Sequence, residues 1–268
     1  MTVRKWVYEC EISGRSTFSY VEAATALPSY SKSVLSTELS RLVRAGVIVS
    51  VHRGFYVIVP TRYKRTGVVP PLFYVDSLFR YLSKPYYISL LSAAQFFAAA
   101  HQKPQIDFVT TVLPRMSNSS GKNPYLKWIY RQQIPSELIM ERNSEGGIVR
   151  YSSPELTMLE LVQYGHIVGG LNVAATVMSE LVESVDFSSC NTAALFNAVS
   201  GRTVQRTGYL LENVLGEVAQ AKALCDSYKT QCGRMEWAVL APMSKAPASR
   251  LCEKWKIRVN EEVEPDEL

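Results

Sequence analysis

Residues 31–59, "SKSVLSTELSRLVRAGVIVSVHRGFYVIV", constrain this chain more than any other stretch. They change from a helical period to a strand period within a few residues. At 3.6 residues per turn, Leu35, Leu39 and Leu42 share one stripe, which reads as the core face of a helix. Ser33, Thr37, Ser40 and Arg44 then gather on the opposite face, with Arg41 on its flank and Lys32 in the first turn. That outer face reads as donors without acids. Ser31 is placed to cap the helix and Gly46 to stop it. "VIVSV" and "FYVIV" flank His52-Arg53-Gly54, the pattern of a β-hairpin with glycine at the strained turn position.

Upstream, "TFSYVEAATALPSY" gives a second short helix, roughly Ser19 to Ala26, ended by Leu27-Pro28. Helix, tight turn, helix and hairpin in this order predict a winged helix-turn-helix. A helix of this size fits a major groove, where hydroxyl and guanidinium groups meet base edges, and a basic wing tip reaches phosphates beside it. The expected DNA-binding residues are Lys32, Ser33, Thr37, Ser40, Arg41 and Arg44 on the helix, and His52 and Arg53 at the wing. The rival readings are a merely solvated helix surface and a winged helix that contacts protein.

Charge supports the DNA-binding reading over these rivals. Residues 1–65 hold ten Lys+Arg against four Asp+Glu, and residues 66–268 hold nineteen against twenty. A basic module joined to a near-neutral one places the polyanion-facing surface at the N-terminal end. At 268 residues the chain has room for two cores. The expected division is a winged-helix domain at 1–65, a polar, basic, proline-ended linker at 66–71 within "TRYKRTGVVPP", and an α+β domain at 72–268.

In that larger part, "YYISLLSAAQFFAAA" (86–100) reads as one buried helix, too interrupted by polar residues to span a membrane. "QIDFVTTVLP", "YLKWIYR" and "GIVRYS" read as strands, and "RMSNSSGKNP" as a loop. From Ser153 as cap the pattern turns helical, with Leu156, Leu159 and Val162 inward. Val177, Leu181 and Val185 form the stripe of the next helix, and further helices follow at about 192–199 and 202–215. The fold class is therefore α+β, a winged helix-turn-helix followed by a mixed domain with a helical second half. Tyr125, Trp128 and Tyr130 read as half-buried strand aromatics rather than a stacking platform. The acidic end, "EEVEPDEL", reads as a frayed solvated tail.

Little in the chain reads as catalysis. His52, His101 and His166 have no partner at metal-ligand spacing, and no dinucleotide fingerprint, P-loop or nucleophile elbow occurs. Asp107 is the one acid that invites a nuclease reading, and it lacks neighbouring carboxylates in sequence. Five scattered cysteines form no C-x-x-C pair, so neither a disulfide framework nor a zinc ribbon is expected. "MTVRKWVYECEISG" has no signal-peptide pattern, and the expected compartment is the cytoplasm. No metal, cofactor or membrane partner is expected.

The string "LSRLVRAGVIVSVHRGFYVI" resembles the winged helix of the AbiEi-type antitoxins, transcriptional regulators of type IV (abortive infection) toxin–antitoxin systems. "PYYISLLSAAQFF", "SSPELTMLELV", "RTGYLLENVLG" and "KWKIRVN" resemble later segments of that family in order and spacing. The chain departs from the family at "AAQFFAAAHQK", which lacks a His-Gly pair, and at Leu156 and Glu160, where the family carries Arg and Asp. No role is carried over to those positions. The resemblance implies a non-enzymatic repressor that binds double-stranded operator DNA of its own operon and counters a partner nucleotidyltransferase toxin. A ligand-sensing transcription factor and a nucleic-acid-processing enzyme are the alternatives.

Overall fold

The computed structural model describes residues 1–99, 105–115, 125–144 and 146–266. It opens with a helix that the sequence reading passed over, α1 (Val3–Ile12), capped by the Thr2 side chain. Val3, Trp6, Val7 and Cys10 recur at i, i+3, i+4 and i+7 and are all buried, which is the signal that could have revealed it. β1 (Thr17–Ser19) leads into α2 (Tyr20–Ala26) through a capping box. The Ser19 hydroxyl accepts from the Glu22 amide at 3.1 Å, and the Glu22 carboxylate accepts from the Ser19 amide at 2.6 Å. Burial would raise the pKa of Glu22, but these bonds and Arg15 outweigh it and hold the carboxyl below its usual range.

α3 (Lys32–Arg44) is capped by Ser31, and Leu35, Leu39 and Leu42 are its buried residues. Gly46 takes a left-handed φ of +67°, and the Val47 amide returns to the Leu42 carbonyl at 3.1 Å, closing the helix. β2 (Ile48–His52) and β3 (Phe55–Ile58) follow, giving a three-stranded antiparallel sheet of order β1-β3-β2. Ile48 and Ile58 join Trp6, Phe18, Leu35 and Leu39 in one core. Each such side chain contributes roughly 1.5–3 kcal/mol on burial. Because strand side chains alternate, Phe55 and Val57 point the other way, where they pack with Val59, Val69, Tyr74 and Leu78. Both faces of the hairpin are therefore covered.

Within residues 66–71, Val69 takes part in this second core and is only 4% exposed. α4 (Val75–Leu82) buries Asp76, whose carboxylate accepts from Arg80, from Arg150 at 2.7 Å and from the Tyr86 hydroxyl at 3.2 Å. A buried carboxylate is tolerated here because three donors surround it. Burial and then Asp76 push the Tyr86 phenol above its ordinary range.

The segment expected as one helix at 86–100 is instead strand β4 (Tyr86–Ile88) and a short helix α5 (Leu90–Ala94), with a 3-10 turn at Gln95–Phe97. Two aromatics and a β-branched residue favour the strand, and Leu90, at φ +52°, breaks any helical continuation. β5 (Asp107–Val112), β6 (Leu126–Arg131), β7 (Ile139–Ser144) and β8 (Gly147–Ser152) complete a five-stranded sheet of order β6-β5-β4-β8-β7. β7 was not read from the sequence. Most of the polar loop expected after β5, residues 116–124, lies outside the described residues, as does His101.

The helical half comprises α6 (Pro154–Gln163), α7 (Gly165–Val168), α8 (Leu171–Leu181), α9 (Thr192–Ala198), α10 (Gly201–Asn213) and α11 (Val218–Cys232). α8 ends before Val185, which is nonetheless buried after a 3-10 turn. A small sheet of β9 (Ala238–Val239), β10 (Arg250–Cys252) and β11 (Ile257–Val259) closes the fold in the order β10-β11-β9. The acidic end is not frayed up to Asp266: Val263 is 8% exposed and the Asp266 amide donates to Thr176 Oγ1 at 2.9 Å. One apolar residue among the acids anchors it. The molecule is mixed α+β and divides into two compact units. The first comprises 1–86, 111–132 and 141–150, and the second 87–110, 133–140 and 151–268.

Candidate nucleic-acid interface

Lys32, Ser33, Thr37, Ser40, Arg41 and Arg44 are all exposed on α3, with Ser33, Thr37, Ser40 and Arg44 opposite its leucine stripe, Arg41 on the flank and Lys32 in the first turn. Two hydroxyls are engaged locally. Thr37 Oγ1 donates to the Ser33 carbonyl at 2.9 Å, and Ser33 Oγ lies 3.1 Å from Ser31 Oγ. Each oxygen keeps acceptor capacity toward solvent. The absence of acids expected on this surface does not hold at its flank, because Glu38 pairs with Arg41 one turn along. Glu38 lies between the stripe and the outer face, where a helical wheel drawn for donors alone overlooks it. Among the described residues, Lys32 and Arg44 have no such carboxylate partner, so their charge is fully presented.

The hairpin turn is held from two sides. Gly54, at φ +74°, accepts through its carbonyl from the Tyr20 amide at 2.7 Å. The Arg53 carbonyl accepts from the Tyr81 hydroxyl at 3.3 Å, and the Tyr81 ring lies 5.3 Å from Phe55 and 6.3 Å from His52. His52 is half-buried, with Nδ1 3.2 Å from the Arg53 carbonyl, so its ring belongs to the turn. Arg53 is exposed, and its guanidinium is the group the turn presents. Sequence reasoning missed Tyr81. Its contacts reach back 28 residues to the turn, and no local pattern marks it.

The remaining candidates fall elsewhere. Asp107 is buried at 8% exposure, with Ser92 Oγ 3.5 Å away. Among the described residues no group of three His, Cys, Asp or Glu side chains is placed to hold a metal ion. Trp128 is half-buried against Phe79, with centroids 5.5 Å apart, and Tyr125 is 41% exposed. Among the described residues no helix is long and apolar enough to cross a membrane.

Residues 87–213 match the family of the AbiEi antitoxin C-terminal domain. That stretch is similar to an AbiEi antitoxin domain. Comparison with curated proteins gives no match. Among solved structures, the fold is similar to the crystal structure of RV2827C protein from Mycobacterium tuberculosis, with a TM-score of 0.70 and 14% identity. The similarity covers 94% of this chain and 89% of that one, and at this identity it is a likeness of fold.

Within the matched residues, segments that carry the family resemblance meet in the interior. The Tyr87 hydroxyl donates to the buried Glu160 carboxylate at 2.5 Å, joining the "PYY" and "ELTMLELV" segments. α6 packs against α5, α8 and α10, which is why Leu156 through Val162 are buried on every side. Thr203 Oγ1 lies 3.4 Å from Gln163 Oε1. These contacts explain packing. A cavity of about 600 Å³ in the second unit is lined by Tyr209, Asn213, Arg250 and the acidic tail, among others, and Arg250 donates to the Tyr209 hydroxyl at 2.7 Å.

Proposed function

We propose that this chain is a DNA-binding transcriptional repressor and antitoxin of a type IV toxin–antitoxin system, with a winged helix-turn-helix within residues 1–65 as its reader. The antitoxin class is supported by the match of residues 87–213 to the AbiEi antitoxin C-terminal domain. The DNA-binding reading is supported by the element order of helix, strand, two helices and hairpin. It is carried by one observation: α3 leaves a face of hydroxyls and Arg44 exposed opposite its buried leucines, with a second cation, Lys32, exposed in its first turn. A major groove accepts such a helix, and in this reading Arg53 at the turn contacts a phosphate beside it. In this reading the operator is duplex DNA of the chain's own operon, and the partner is a nucleotidyltransferase toxin encoded beside it.

Two measurements test the two halves. Fluorescence anisotropy with a duplex spanning the chain's own promoter should show binding that weakens with salt and that exceeds binding to a scrambled duplex. Equal affinity for both duplexes would remove the operator reading. Co-expression with the adjacent nucleotidyltransferase should restore growth, and unrelieved toxicity would remove the antitoxin reading. A ligand-sensing regulator is the second reading, and the cavity beside Arg250 is what favours it.

A further inference from the structure

From Leu39 to Val75 the chain contains no Asp or Glu and six cations, Arg41, Arg44, Arg53, Arg62, Lys64 and Arg65. Three of the six fall in the segment after the hairpin, which the sequence suggests is a flexible connection. The structure gives that segment a fixed form. Residues Thr61–Tyr63 make a 3-10 turn, the Tyr63 amide returns to the Pro60 carbonyl at 2.8 Å, and the Gly67 amide returns to the Tyr63 carbonyl at 2.8 Å. Arg62 lies over the rings of Tyr63 and Phe73, 4.8 and 5.7 Å from their centroids, and Val69 anchors the far end in the core. Lys64 and Arg65 stand exposed on this turn, and among the described residues neither forms an ion pair.

Topology fixes where these cations sit. The Val59 amide donates to the Val47 carbonyl at 3.0 Å, so the end of β3 lies beside the start of β2, three residues after α3 ends at Arg44. Thr61 follows two residues later. The turn carrying Lys64 and Arg65 is therefore at the base of the hairpin, and Arg53 is at its tip. A hairpin of this length separates base and tip by roughly 15 Å at ~3.4 Å per residue. That span is comparable to a major groove about 12 Å wide.

We infer that Lys64 and Arg65, on the turn steadied by Arg62, form a second phosphate clamp at the hairpin base, at the other end of the hairpin from Arg53. The inference rests on the DNA-binding reading above. A pre-formed turn loses little conformational freedom on binding, whereas a flexible basic linker would have to be ordered. A merely solvated charge run would be expected to mix signs or to pair locally; among the described residues Lys64 and Arg65 do neither.

The test uses the full chain and the promoter duplex, with affinity followed across a salt series. Replacing both residues (K64Q together with R65Q) should lower the slope of log K against log salt by about two units and weaken binding on the order of tenfold at moderate salt. The preference for the promoter over a scrambled duplex should stay unchanged. R53Q should lower the slope by about one unit, and the three changes together by about three. Hydroxyl-radical footprinting should lose protection at one edge with the K64Q/R65Q pair and at the other with R53Q. Circular dichroism should show all variants folded, since the side chains are exposed.

If the unaltered chain binds the duplex and the pair leaves slope and footprint unchanged, the clamp is wrong and the DNA-binding reading stands. A changed promoter preference would also overturn it, by making these residues base readers. If the unaltered chain does not bind duplex DNA even at low salt, the underlying reading fails first.

Discussion

A Cβ added at Gly208 would come within 2.1 Å of the Trp255 ring, so the tryptophan of β10-β11 lies in a slot that only glycine leaves open on α10. Gln205 Nε2 donates to the Trp255 carbonyl at 2.8 Å, and the Trp255 indole N–H donates to Glu212 at 2.6 Å. Residues 205, 208 and 212 share one face of the helix, and Trp255 is fully buried. Gly208→Ala should therefore destabilise the chain by about 1–3 kcal/mol through overpacking. Combining it with Trp255→Leu should cost less than the sum of the two single changes. Chemical denaturation of the four proteins measures this, and strict additivity would contradict the slot.

Glu212 gives the same region a pH dependence. Burial would raise its pKa, but hydrogen bonds from Lys254 and Trp255 outweigh burial and hold the carboxyl below its usual value. A depressed carboxylate stabilises the fold above its unfolded pKa of about 4.5, and that contribution is lost as pH falls through the folded value. The stability gap between the unaltered chain and Glu212→Gln should be widest near neutral pH and close below about pH 4. Melting temperatures across that range check it, and a constant gap would mean the charge is not involved.

The hairpin turn should depend on Gly54 and Tyr81 together. Gly54→Ala forces a side chain into φ +74° with the Tyr81 hydroxyl 3.0 Å from the new carbon. A loss of about 1–2 kcal/mol is expected. Tyr81→Phe removes the hydrogen bond to the Arg53 carbonyl, and should speed amide exchange near residues 53–55 with little change in global stability. Unchanged local exchange would show that the ring alone holds the turn.

On α3, the pairing of Arg41 with Glu38 separates two arginines that the sequence treats alike. Arg44→Ala should cost about 1–3 kcal/mol of promoter preference if the residue reads a base. Arg41→Ala should cost less, because Glu38 already engages its charge, and Glu38→Gln should strengthen non-specific binding slightly. Anisotropy titrations against promoter and scrambled duplexes distinguish these outcomes. Equal losses for both arginines would show that the pair opens on binding.

The thiols should differ in reactivity. Burial, then Glu155 and Asp186, push Cys190 up to about 12, whereas Cys232 is exposed. At pH 8 iodoacetamide should modify Cys232 well before Cys190, as read by peptide mass spectrometry. Equal rates would mean that the region around Cys190 opens readily.

The sequence alone determined whatever rests on local periodicity and end signals. The leucine stripe of α3 with its Ser31 cap and Gly46 stop is legible, as are the hairpin around Gly54 and the Ser153-Pro154 start of α6. These depend on interactions within a turn or two, where residue type and spacing suffice. It also placed the exposed face of α3, since exposure there is the complement of a stripe already read. The tertiary structure decided the rest. It split 86–100 into a strand and a short helix, docked the acidic end through Val263, and buried Val69 within the segment expected as a linker. It also tied Arg41 to Glu38 and the hairpin turn to Tyr81. Those outcomes depend on partners distant in sequence or on side-chain direction, and the free energy of such contacts is set by what the rest of the chain packs beside them.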